Sequence, residues 1–159
     1  MNTATDLSAR ERLDLLRRAE SVALVGVSAN PLRSSNFVAA YLVKTPYRMY
    51  AVNPMYDEVL GVKCYPRLAD LPEVPDIVDC FRREAELPGL VDEAIEVGAK
   101  AVWFQLGLRH DEAAAKARAA GLEVVQDRCL KIEHARFHGG LHLAGFDTGM
   151  ISSKRRRSL

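Results

Sequence analysis

Short, mainly apolar runs fall at 22–25, 49–52, 77–80, 101–104 and 123–126, the third carrying Asp79 and the last flanked by Glu123 and Gln126, and polar, glycine-bearing or proline-bearing residues follow each run. Between the runs the apolar positions recur at helical spacing. This gives a leading amphipathic helix over 6–19 that carries Leu7, Leu13 and Leu16, and a second helix over about 35–44. A third helix opens with Pro88 in its first turn and closes near Gly98, and a fourth covers 111–120 and stops at Gly121. Continuous rather than alternating apolar runs describe strands buried on both faces. Strands that alternate with helices predict a Rossmann-type, doubly wound parallel sheet of about five strands in a three-layer α/β/α sandwich, joined by right-handed crossovers. The segment between the second and third runs reads as a linker with one short pairing candidate near 63–65.

In such a sheet the ligand sits beyond the carboxyl ends of the strands, near the point where strand order reverses. The first of these ends is the most informative. Residues 21–38 run from a buried strand through a small polar loop with one arginine into a helix start, an order that aims backbone N–H groups and a helix dipole at an anion. Gly26 opens the loop, and Ser28, Asn30, Pro31, Arg33 and Ser34 follow it. Ser34, Ser35 or Asn36 is the expected helix N-cap. The dinucleotide fingerprint G-x-G-x-x-G is absent, because Gly26 stands alone. The second strand ends in Asn53-Pro54 where an NAD site would place an acid. A nucleophile elbow is half matched by Gly26 and Ser28, with Asn30 in place of the second glycine. The other ends contribute Tyr56, Phe81, Arg82, Gln105, Leu106 and Cys129. Arg33 and Arg82 are suited to phosphates, Ser28 and Ser34 to hydroxyl donation, and Pro54, Tyr56 or Phe81 to flanking an adenine. Phe81 and Trp103 are expected to serve chiefly as core.

The combination ALVGVS (23–28) with Pro31, Arg33 and Ser34, VDCFRR (78–83), EAIEVGAK (93–100), WFQLG (103–107) and DRCLKIE (127–133) resembles the small stand-alone CoA-binding proteins. These are in turn similar to the CoA-binding domain of the succinyl-CoA synthetase α subunit. The resemblance spans about 21–136. It implies that the loop after Gly26 holds the CoA phosphates, that Asn53 and Pro54 border the nucleotide, and that Phe104, Gln105 and Leu106 lie along the pantetheine. The synthetase's phosphorylated histidine belongs to a second domain, so its chemistry is not implied. The expected function is binding of CoA or an acyl-CoA for sensing, carriage or regulation, with no catalytic centre. An NADP-dependent oxidoreductase whose Arg33 meets the 2′-phosphate, and an interaction domain with a vestigial pocket, remain the alternatives.

Composition sharpens these limits. A chain of 159 residues buries one full core, and no apolar run approaches the ~20 residues of a membrane span. Cys64, Cys80 and Cys129 are odd in number and far apart, which suggests neither a disulfide framework nor a zinc site and fits a cytoplasmic protein. Cys80 reads as an inert core thiol and Cys129, beside Arg128 and a helix start, as the thiol most open to activation. The net charge of +1 includes the run Lys154, Arg155, Arg156, Arg157; the other 18 basic residues against 21 acidic ones leave −3. That run reads as a solvated tail rather than a nucleic-acid arm. The expected organisation is a packing helix over 1–20, the ligand-binding domain over 21–137, and a glycine-containing basic tail over 138–159, disordered in part. His134, His138 and His142 recur every four residues, but Gly139 and Gly140 are expected to break any helix that would align them as metal ligands. His110 reads as a helix-start residue.

Overall fold

A computed structural model describes residues 6–138. The basic run and His142 therefore lie outside the described residues. Seven strands form one sheet in the order β3-β4-β2-β1-β5-β6-β7. They are β1 (Ser21–Val25), β2 (Arg48–Val52), β3 (Glu58–Val59), β4 (Val62–Tyr65), β5 (Ile77–Cys80), β6 (Ala101–Phe104) and β7 (Glu123–Val125). All pairings are parallel except the β3–β4 hairpin at one edge. The expected count of about five is thus corrected to seven. The extra pair turns through Leu60 and Gly61, both at positive φ (54° and 75°), the backbone of a two-residue hairpin. Leucine rarely supplies that conformation, so the turn carries no sequence signal.

Helices α1 (Ala9–Arg18), α2 (Ser34–Leu42) and α5 (Leu130–His138) cover one face, and α3 (Leu87–Val97) and α4 (Asp111–Ala119) cover the other. Side chains alternate along each strand, so Val22, Leu24, Ile77 and Trp103 join the first core, while Ala23, Val78, Cys80 and Phe104 join the second. Strand order reverses between β1 and β5, which are neighbours, and this opens the switch point beside the Gly26 loop.

Local chemistry sets the helix ends. A capping box between Ser8 and Glu11 starts α1 later than the apolar spacing alone predicts. Gly98 and Gly121, at φ 88° and 94°, end α3 and α4 in the left-handed region. His110 Nδ1 accepts from the Ala113 N–H and caps α4. Helix α5 is tied to α1 by a buried pair, Arg12 Nε to Glu133 Oε1 at 2.6 Å. The helix runs through His138; Gly139, Gly140 and His142, on which the expected helix break rests, lie outside the described residues. His134 Nδ1 is instead hydrogen-bonded to the Tyr41 hydroxyl at 2.7 Å. Among the described residues there is no group of three His, Cys, Asp or Glu side chains that could hold a metal, and no helix long and apolar enough to cross a membrane.

Candidate ligand site at the carboxyl ends of the strands

The loop after β1 is fixed by its own polar groups. Ser28 donates its N–H to Ser35 Oγ at 2.9 Å, and its carbonyl accepts from Asn36 Nδ2 at 2.9 Å. Ser28 Oγ accepts from the Asn30 N–H, and Asn30 Oδ1 from the Leu32 N–H. Ser28, Asn30, Ser35 and Asn36 are therefore occupied in shaping the loop. The N-cap of α2 is Arg33, which makes no side-chain cap, rather than Ser34, Ser35 or Asn36. The N–H groups of Ser34 and Ser35 consequently have no acceptor among the described residues and face the loop with the positive end of the helix dipole.

Gly26 is required sterically. It sits at φ 91°, and a Cβ there would lie 2.6 Å from the Phe81 carbonyl oxygen and 3.2 Å from Arg82 Cδ. This close approach lets the β1 loop and the end of β5 form one ridge with a recess on each side.

On the α2/α5 side lies a cleft of about 400 Å³, lined by Arg33, Ser34, Phe81, Arg82, Gln105, Leu106 and Cys129 together with Arg83, Leu108 and Ile132. On the α3 side lies a hollow of about 530 Å³ that includes Pro54, Pro66, Arg67, Arg82, Glu86 and Glu93. Arg82 belongs to both. Arg33 and Arg82 have no ion-pair partner among the described residues, whereas Arg83 is paired with Glu86 and Arg67 with Asp70.

The remaining residues expected at the site are elsewhere. Asn53 is buried and donates Nδ2 to the Val27 carbonyl at 2.9 Å while accepting from the Met55 N–H, so it clamps the first two strand ends together. Tyr56 packs on the core beneath α2. Ser28, Asn30 and Pro31 line neither recess. The Phe104 side chain is fully buried against α3 and α4 and lines neither recess, so only its backbone is at the strand end. Trp103 is also fully buried and donates Nε1 to the Arg128 carbonyl. Cys80 is buried and its thiol is pushed well above the usual range by desolvation. Arg67 and Pro66, at the end of β4, escaped the strand-end rule because β4 was read only as a short pairing candidate within a linker.

A family model described as a CoA binding domain matches residues 20–135. The chain belongs to the CoA-binding domain family. It is 38% identical over 128 residues to the uncharacterized protein YneT of Bacillus subtilis (strain 168), spanning 80% of this chain and 95% of that one. A hypothetical protein from Pyrococcus horikoshii OT3 superposes with a TM-score of 0.81 at 41% identity, covering 87% of this chain and all of the other (100%). The ADP-forming acetate–CoA ligase I of Archaeoglobus fulgidus is 28% identical over 119 residues, which are 69% of this chain and only 17% of the ligase. The likeness to the ligase therefore concerns one region of a much longer protein.

Proposed function

We propose that this protein binds coenzyme A or an acyl-CoA, extended across the ridge formed by Gly26 and Phe81. The observation that carries the reading is the convergence of two guanidinium groups without ion-pair partners among the described residues, Arg33 and Arg82, and an uncapped helix N-terminus on one cleft that Phe81, Leu106, Leu108 and Ile132 also line. Such a recess suits a diphosphate joined to a slender, mostly apolar arm. The family membership and the sequence resemblance support the same ligand.

In this reading the diphosphate lies at the N-terminus of α2 and the pantetheine runs past Gln105 and Leu106 toward Cys129. The nucleotide occupies the hollow beside Pro54. The acids Glu86 and Glu93 in that hollow suit a base and ribose better than a further phosphate on the α3 side, while Arg67 and Arg82 guard its mouth. The cleft's ionisable side chains are arginines and one cysteine, with no carboxylate or imidazole among its described residues. In this reading the protein binds its ligand for carriage, sensing or regulation.

Titration calorimetry with CoA, NADP and ATP in parallel tests this. CoA should bind with the other two at least about tenfold weaker, a difference of roughly 1.4 kcal/mol. NADP binding more tightly than CoA would point to a dinucleotide site instead, and the reading would be wrong.

A further inference from the structure

The end of the sheet away from the cleft carries a recess that CoA binding leaves unused. There the amino ends of β1 and β2 meet the last turn of α1, the exit of α2 and the middle of α5, and together they enclose about 620 Å³, more than the cleft holds. That volume is in the range of small-molecule sites. Leu16 and Ala19, both buried, line it with Pro46, Tyr47 and His134. The Tyr47 and His134 rings meet edge to face, with centroids 5.4 Å apart.

The polar atoms of this floor are already engaged. The Tyr47 hydroxyl donates to the Leu16 carbonyl at 2.5 Å. The Thr45 hydroxyl donates to the Leu42 carbonyl at 2.6 Å and accepts from the Tyr47 N–H, and His134 Nδ1 is bonded to Tyr41. What the floor offers a ligand is therefore apolar and aromatic surface.

Charge lies at the rim. Arg17 and Lys44 are exposed and have no ion-pair partner among the described residues. Arg48 is bonded to Glu73 at 2.6 Å and lies 3.7 Å from Glu20, so these two carboxylates are set against one guanidinium. With Arg17 and Lys44 counted, three cations face two carboxylates, and one positive charge is left unanswered. Such a rim attracts a single negative charge and repels a cation.

We propose that this recess is a second ligand site, for a small aromatic monocarboxylate whose ring lies against Leu16, Pro46 and Tyr47 and whose carboxylate meets Arg17 and Lys44. The site is separate from the cleft, and its existence does not depend on what the cleft binds.

Phenylacetate is the probe and phenylacetamide its uncharged match. Each is titrated into isotopically labelled full-length protein, and amide chemical shifts are followed. Phenylacetate should give saturable shifts centred on Ala19, Lys44, Thr45 and Tyr47, and the amide should bind there about threefold or more weakly. Arg17→Gln and Lys44→Gln change exposed side chains, and denaturant melts confirm that the variants fold. Each should weaken phenylacetate by about threefold while phenylacetamide changes by less than about twofold. Shifts centred on Ser34 and Arg82 instead, equal affinity for acid and amide, or unchanged phenylacetate affinity in both variants overturns the inference. The lack of any saturable shift at tens of millimolar probe overturns it as well.

Discussion

Asp79 is the one buried acidic residue on the strands among the described residues, and replacing it should raise stability in a pH-dependent way. It lies on β5 opposite Leu24 of β1 and Trp103 of β6, is fully buried, and neither carboxyl oxygen has a hydrogen-bond partner among the described residues. Desolvation raises its pKa well above the usual carboxylate range, so the native protein holds a proton there that the unfolded chain releases near pH ~3.9. Between these two values the unfolded state binds about one proton fewer. Native stability must then fall by about 1.4 kcal/mol for each pH unit, from roughly pH 4 up to the folded pKa. Asp79→Asn has nearly the same shape and does not titrate. Its amide is as poorly partnered as the protonated acid, so the two proteins should be of similar stability near pH 4 and diverge above it. Urea denaturation of both proteins at several pH values, with m-values compared, gives the difference directly. A wild-type minus variant difference that stays flat across that range would refute the assignment of a buried neutral carboxyl.

Three further perturbations address the ridge, the loop and the helix layer. Gly26→Ala must place a methyl group against the Phe81 carbonyl at positive φ, and should cost at least about 1–3 kcal/mol in chemical denaturation. Arg33→Ala, at an exposed side chain with no ion pair, should leave stability within about 0.5 kcal/mol. The same variant should weaken CoA binding about tenfold or more by calorimetry, and unchanged affinity in a folded variant would remove Arg33 from the site. Arg12→Met strips Glu133 of its buried partner and should cost about 3–5 kcal/mol, much of it recovered in the double variant Arg12→Met, Glu133→Leu; a simple sum of the single effects would contradict this.

The five strands were legible because each is a short, mainly apolar run, and each begins and ends within one residue of expectation. Patterning failed where it carries no information. A strand buried on both faces does not reveal which side chain points where, so Phe104 and Gln105 looked alike although one is core and the other faces the cleft. The two-residue β3 is too short to have a period. Treating β4 as a short pairing candidate outside the five main strands also hid Pro66 and Arg67, which the rule about strand ends would otherwise have found. Ser28, Asn30 and Asn53 are the right residue types for ligand contacts, yet local geometry engages their polar groups in turns and clamps, and only coordinates could show this. Asp79 in an apolar run gave no hint of function or strain.

The central claim concerns where CoA binds, and amide chemical-shift mapping tests it most directly. Titrating isotopically labelled full-length protein with CoA to saturation should move the N–H signals of Ser34, Ser35, Arg82 and Gln105 most. The opposite end of the sheet, around Thr45 and Arg48, should stay still. Shifts centred on Thr45 and Arg48, or no saturable shifts at millimolar CoA, would contradict the account.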